Sequence, residues 1–301
     1  ALGAANYESS HKAFPPGLMY YNVYLGQAIG WGPIIRILPF IEQSAVYSAI
    51  NHDVGPFDGQ GRNLTIAATG ISALWCPSDP SVANSSPSLV ATYGSPASLK
   101  AQFRQYFSSY GGVAGPWYTV SFMFNMSDGN VSPVPDAYNN NLGTIFFYSR
   151  VSASSVTDGL SNTMVFTENG HGFLDASTQP NYHLWNSGSP PDSAIHTMYG
   201  PNPQKKYAKL MTSSTSLVKS LAQSAMSFHP GGVNAAFLDG SVRFLKDSID
   251  SWPIDPATGL PKGVTKVAPY STYALDASSR FGVFQALSTR SGGEVISADQ
   301  Y

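Results

Sequence analysis

The chain has 301 residues, enough to bury a sizeable core in one large domain or two, and no linker-like shift in composition divides it. Charged residues make up only 11% and the net charge is -2, which removes the electrostatic reason to expect nucleic acid or an anionic membrane surface as a partner. Gly 28, Pro 22, Tyr 17 and Phe 16 describe a loop-rich β protein whose apolar mass is strongly aromatic.

Cys76 is the one cysteine, so no disulfide forms within this chain. There is no apolar run long enough to span a bilayer and no initiator Met, and Ala1 reads as a truncation or processing point. Low charge, abundant Ser, Asn, Gly and Tyr, and sequons at Asn63, Asn84, Asn125 and Asn130 suit an extracellular or cell-surface location; sequons are frequent by chance, so glycans at those four asparagines are an alternative only.

From the start, residues 1–12 are Ala-rich and helix-compatible, and Pro15-Pro16-Gly17 stops them. Pro39 can open a second helix running through Phe40, Ile41, Val46, Tyr47 and Ile50, with an apolar surface that predicts burial. Cys76-Pro77-Ser78-Asp79-Pro80 ends a short strand in a fixed turn, and residues 99–107 have room for a turn or two of helix. Tyr110 to Gly115 is Gly-rich but lacks the Lys-Ser/Thr of a phosphate loop.

Residues 117–126 and 143–148 read as strands, as do residues 163–167, with Asp158-Gly159 turning before the last and Glu168 following it. The polar stretch 127–141 offers Asp128, Asn130, Asp136 and Asn139 as oxygen donors. Their spacing does not match a helix-loop-helix calcium site, which leaves calcium an alternative only. His171, His183 and His196 lie in a His-bearing loop without ligand spacing on one face. Leu217, Val218, Leu221 and Ala225 recur at helical spacing behind a Ser213 or Ser214 cap, and residues 281–287 read as a last short helix.

The most informative stretch is Ser227 to Lys246. Asp239-Gly240 is turn chemistry flanked by alternating apolar residues, which predicts a hairpin with a two-residue loop. In that register Phe237 faces Val242 and Ala235 faces Phe244, so Val233, Ala235, Phe237, Val242 and Phe244 share a buried face. Gly231-Gly232 suits a bend ahead of the first strand, where His229 stands. His229 and Asp239 fall at opposite ends of the hairpin, so the pair is read as structural rather than catalytic, and Asp250 is the residue expected near His229.

His-Pro-Gly-Gly-Val-Asn followed by Asp-Gly-Ser-Val-Arg-Phe, with nine residues between His229 and Asp239, resembles the signature of a bacterial prepilin-processed family of unknown function with a type IV pilin-like N-terminal helix. Asn6 to Gly17, Leu38 to Asn51, Leu74 to Pro80, Ser109 to Gly115, Thr157 to Glu168 and Gly292 to Val295 resemble its other blocks in order. The resemblance implies an α+β, pilin-like fold in which an N-terminal helix packs on an antiparallel sheet with long loop insertions. Residues 1–12 would be the end of that helix, its upstream part absent, and residues 13–301 a single β-rich extracellular head. It also implies that a cysteine upstream could bridge to Cys76.

His229, Gly231, Gly232, Asp239, Gly240, Asp158, Gly159, Asn162, Glu168 and Cys76 are then structural motif residues, with no catalytic, cofactor or metal site expected. The function expected is a non-enzymatic pilin-like or pseudopilin-like subunit of an extracellular filament or envelope assembly, whose partners are copies of itself and whose membrane contact is through the absent helix. No Gly-x-Ser-x-Gly elbow or His-Glu-x-x-His motif is present. Two alternatives remain: a secreted carbohydrate- or ligand-binding module using some of Trp31, Trp75, Trp117, Trp185 and Trp252, and a secreted hydrolase pairing His229 with Asp158, Glu168 or Asp250.

Overall fold

The computed structural model describes residues 1–17, 30–57, 61–87, 104–117, 124–125, 132–133, 141–207, 221–255, 257–267, 272–276 and 279–300. The fold is α+β. Five strands, β1 (Tyr110–Gly115), β2 (Met164–Glu168), β3 (Ala194–His196), β4 (Gly232–Phe237) and β5 (Val242–Lys246), form one sheet in the order β3-β1-β2-β4-β5. The sheet is mixed rather than antiparallel, because β3 joins β1 in parallel while the other pairings are antiparallel. A separate antiparallel pair is formed by Val264–Val267 and Thr272–Leu275.

The glycines of β1 serve close packing. A Cβ on Gly112 would meet Ile145 Cγ2 at 2.5 Å, and one on Gly111 would meet Ile195 Cγ1 at 2.6 Å. One sheet face is dry: Val113, Met164, Ile195, Val233, Ala235, Phe237 and Leu245 are completely buried there and pack with Phe284 and Leu287. Phe284 belongs to the short helix Val283–Ala286, which falls within the span expected for a last helix.

The hairpin has a different register from the one its turn chemistry predicts. Ala236 pairs with Val242, Ala235 with Arg243 and Asn234 with Phe244, and Phe237 N–H donates to Ser241 O at 2.9 Å. The loop is therefore three residues, Leu238-Asp239-Gly240, with Gly240 at φ 89°, a common three-residue solution for a twisted hairpin. A one-residue slip turns every side chain of the second strand over. Val242 and Phe244 are consequently 61% and 43% exposed, and Leu245 takes the buried place they were expected to fill.

Helix α1 (Leu2–His11) lies on α2 (Pro33–Ile37) and on the 3₁₀ turn Leu38–Ile41, and it reaches the sheet's core through Ala4. Tyr7 stacks on His11 and meets Phe40 edge-on. The second helix is not continuous: Glu42 adopts φ 61° and separates the 3₁₀ turn from Ser44–Ser48, none of whose residues is buried. Burial falls instead on Ile34, Ile35 and Leu38, which join Trp31, Ile66, Leu74 and Trp185 in a second core.

Residues 143–148 are irregular rather than a strand, held to β1 by Thr144 and Ile145 N–H groups on Val113 O. Leu74 likewise ends a 3₁₀ turn, Ser72–Leu74, not a strand. Arg104–Gln105 pairs as a strand with Ser86–Pro87 where a turn of helix was expected. Of the strand expected over residues 117–126, Trp117 is a bend beyond the end of β1, and Phe124–Asn125 is a strand paired with Ser132–Pro133. The donors Asp128, Asn130, Asp136 and Asn139, and the helix start at Ser213 or Ser214, lie outside the described residues.

Candidate functional site

The sheet's other face carries chemistry. Across one row lie Tyr110, Glu168, Asn234 and Phe244, because Tyr110 pairs with Glu168, Asn234 with Phe244, and Thr167 with Ala235. Glu168 ends β2 and is 2% exposed. Its Oε2 accepts the Asn234 backbone N–H at 2.7 Å and its Oε1 accepts Asn234 Nδ2 at 3.2 Å.

Two loops bring the remaining groups. The turn after Ser72–Leu74 is tied to the strand region by Trp75 Nε1 on Phe107 O at 3.2 Å and by the Cys76 N–H on Ser109 Oγ at 3.1 Å. Asp79 closes that turn and accepts the Gly172 N–H. His229 is set by its N–H on Ser227 Oγ at 3.1 Å, and Gly231, at φ 82°, bends the chain into β4. Gly232 lies where any side chain would run into Leu245 O.

Cys76, Glu168 and His229 converge. Cys76 Sγ lies 3.4 Å from Glu168 Oε1 and 3.6 Å from His229 Nε2, and His229 Nε2 lies 3.2 Å from Glu168 Oε1. His229 Nδ1 faces Ser78 Oγ at 3.3 Å. The cluster sits on a cavity of about 560 Å³ whose other lining includes Ile34, Ile37, Ile41, Ala236 and Val242. One end is polar and the walls are greasy.

Burial pushes the Cys76 thiol above its ordinary value, and the Glu168 carboxylate adds to the rise against opposing hydrogen bonds from Ser78. Tyr110 is pushed up to about 12, by burial first and then by Cys76 and Glu168. A nucleophilic cysteine needs the opposite, a lowered pKa and a histidine held between thiol and carboxylate through different ring nitrogens. Here thiol and carboxylate share Nε2, so the arrangement is a convergence on one point rather than a proton relay. The three donor atoms lie within 4.8 Å of one another and are the set among the described residues that could hold a metal.

The other motif residues take separate places. Asp239 accepts Ser241 N–H and Oγ at the hairpin tip, with Arg243 3.8 Å away. Asp158 clasps the C-terminal segment, its carboxylate accepting Gly292 and Gly293 N–H groups and the Thr289 hydroxyl. Gly159 has φ 94°, and Asn162 Nδ2 donates to Asp158 O at 3.5 Å. Asp250 accepts the Val283 N–H. Of the three carboxylates weighed beside His229, the structure brings Glu168 to it.

The sequence offers Glu168 as one of three carboxylates beside His229 but gives no sign that Cys76 joins them, a meeting that spans 92 residues from Cys76 to Glu168 and 153 from Cys76 to His229. His171 and His183 are sealed inside: burial and then His183 hold His171 down to about 2, and burial holds His183 down to about 4. Trp31, Trp117, Trp185 and Trp252 are buried and Trp75 is half-buried, so they fill cores instead of forming an exposed aromatic row. Asn63 is 1% exposed and its side-chain amide donates to Asn51 O and Gly55 O, while Asn84 is exposed. Cys76 makes no disulfide within this chain. No helix among the described residues is long and apolar enough to cross a membrane.

No curated protein and no solved structure matches the chain. A family model described as "Protein of unknown function (DUF1559)" matches residues 1–251, a span that runs from α1 through Cys76 and Glu168 to His229 and the whole hairpin. The chain therefore belongs to the DUF1559 family of proteins of unknown function.

Proposed function

We propose that the chain is the β-rich head of a pilin-like, non-enzymatic subunit of an extracellular filament or cell-envelope assembly, in which α1 is the end of an anchoring helix and the partners are further copies. The observation that carries this reading is an apolar edge beside that helix. Among the described residues β5 is the edge of the sheet, and Val242 and Phe244 stand exposed along it. Leu2, 70% exposed at the start of α1, reaches the hairpin tip, where a Cβ on Gly240 would lie 3.4 Å from its Cδ2. Its exposure adds Leu2 to this edge.

An unpaired strand edge carrying apolar side chains is normally shielded in a monomer. Copies meeting there head-to-tail would form an assembly that need not close. Seating of α1 supports a fixed helix-to-head angle: Gly3 packs so closely that a Cβ would meet Ile41 Cγ2 at 2.8 Å. The test is to express the gene with its upstream segment and image cells and medium. Filaments or envelope-bound arrays carrying this head support the reading, and a freely soluble monomer defeats it. A ligand-binding head is the second reading, favoured by the cavity beside Cys76, Glu168 and His229.

A further inference from the structure

A closed triangle of thiol, carboxylate and imidazole is short of protons. The thiol S–H and the imidazole N–H can both donate to Glu168 Oε1, but the Cys76 Sγ to His229 Nε2 edge, at 3.6 Å, then has no proton of its own to bridge it. One cation at the centre satisfies all three atoms together. A tetrahedral zinc ion, with bonds of about 2.3 Å to sulfur and about 2.0–2.1 Å to nitrogen and oxygen, sets S···N, S···O and N···O edges of about 3.6, 3.5 and 3.3 Å. The corresponding separations are 3.6, 3.4 and 3.2 Å.

We propose that Cys76, Glu168 and His229 form a three-ligand zinc site whose fourth position opens onto the cavity. The surrounding contacts are those that hold metal ligands in place. The second nitrogen of His229 faces Ser78 Oγ, and the second oxygen of Glu168 accepts the Asn234 N–H at 2.7 Å. A sulfur donor excludes calcium and magnesium, which take oxygen, and selects a borderline-soft divalent ion. Structural zinc sites are closed by four protein ligands, whereas three ligands leave a place for water or an incoming group. Ile34, Ile37, Ala236 and Val242 line the cavity onto which that place opens. The ligand class that fits is a small molecule with a carboxylate or carbonyl donor at one end and an apolar body. This site goes beyond the display reading and does not depend on it.

The experiment uses the purified chain, stripped with a chelator and titrated with Zn²⁺ alone. One zinc per chain is expected, with X-ray absorption showing one sulfur at about 2.3 Å and nitrogen or oxygen at about 2.0–2.1 Å. Co²⁺ in its place should give a thiolate-to-metal charge-transfer band that Cys76→Ser abolishes. Glu168→Gln, which keeps the side-chain shape and one acceptor oxygen for the Asn234 N–H, should weaken zinc binding by more than the roughly 10–100-fold that loss of an outer partner costs, and Ser78→Ala should fall within that range. Wild-type protein that takes up no zinc, or holds it without sulfur, overturns the proposal whether or not the variants fold. Because the readout is on the isolated head, its failure leaves display untouched, and failure of display leaves the zinc titration untouched.

Discussion

The two faces of the five-stranded sheet are built from the same strands and do opposite things. On one, Val233, Ala235, Phe237, Leu245, Met164 and Ile195 exclude water completely. On the other, one residue along each strand, Glu168, Asn234, Val242 and Phe244 face a cavity or solvent. The dry face carries stability through area and packing, where any apolar residue of similar volume would serve. The second carries positioned polar atoms, where a shift of an ångström matters and overall stability hardly registers the identity of the exposed groups.

The largest effect should come from breaking the dry face. Phe237 is fully buried among Met164, Leu245 and Phe284, so Phe237→Ala should cost about 3–5 kcal/mol in denaturant unfolding through lost transfer energy and a residual cavity. A cost under about 1 kcal/mol would mean that this face is not the core.

A sealed polar nest sharpens the contrast with the open one. His171 stacks on Phe107 with ring centroids 4.0 Å apart, and Asp192 Oδ1 accepts the Leu184 N–H while burial pushes its carboxyl up to about 7. His171 and His183 remain neutral when folded and take up protons on unfolding below about 6.5, so they withdraw stability as pH falls. Asp192 holds a proton when folded that it loses on unfolding above about 4, so it adds stability as pH falls through about 7. Between about pH 4.5 and 5.5 the three groups leave a net of about one proton, or about 1.4 kcal/mol lost per pH unit on acidification. Asp192→Asn should raise that slope to about two protons, measured as unfolding free energy against pH. An unchanged slope would show Asp192 ionised in the fold.

Legibility followed the range of the interactions. Val233, Ala235 and Phe237 were readable because alternation within one strand is local. Their partners on β5 were not, because Asp239-Gly240 fits a two-residue or a three-residue loop equally well, and that single residue decides whether Val242 and Phe244 are core or surface. The family motifs pointed to Cys76, Glu168 and His229 one by one. Nothing in their spacing encodes a contact made by a loop, a strand end and a strand start across 153 residues. The histidines drawn together in sequence, His171, His183 and His196, are the ones the fold seals away.

Gly240 tests the loop that sets the two faces apart. At φ 89° it lies where a β-branched side chain is strained, so Gly240→Val should cost on the order of 1–2 kcal/mol. Gly240→Asn should cost less, since Asn tolerates left-handed backbone. Equal costs for the two would point to crowding by Leu2, 3.4 Å from the added Cβ, in place of backbone strain.

The smallest effect on stability should accompany the largest on assembly. Phe244 is 43% exposed on the edge strand, its ring lying over Gly232, so Phe244→Lys, whose aliphatic stem can still cover Gly232, removes mainly exposed apolar surface and places a charge that edges tolerate in monomers. Its unfolding free energy should stay within about 0.5 kcal/mol of wild type. If copies associate along β5, the same change, made in the gene with its upstream segment, should disperse filaments or arrays into single subunits, because a buried lysine opposite another copy's apolar edge has no partner. Val242→Lys should act alike, since it shares that face, whereas Lys262→Glu, in an exposed turn outside β5, should not. Filaments that persist with Lys at both Val242 and Phe244 would place the subunit contact elsewhere, and a stability loss matching that of Phe237→Ala would return those residues to the core.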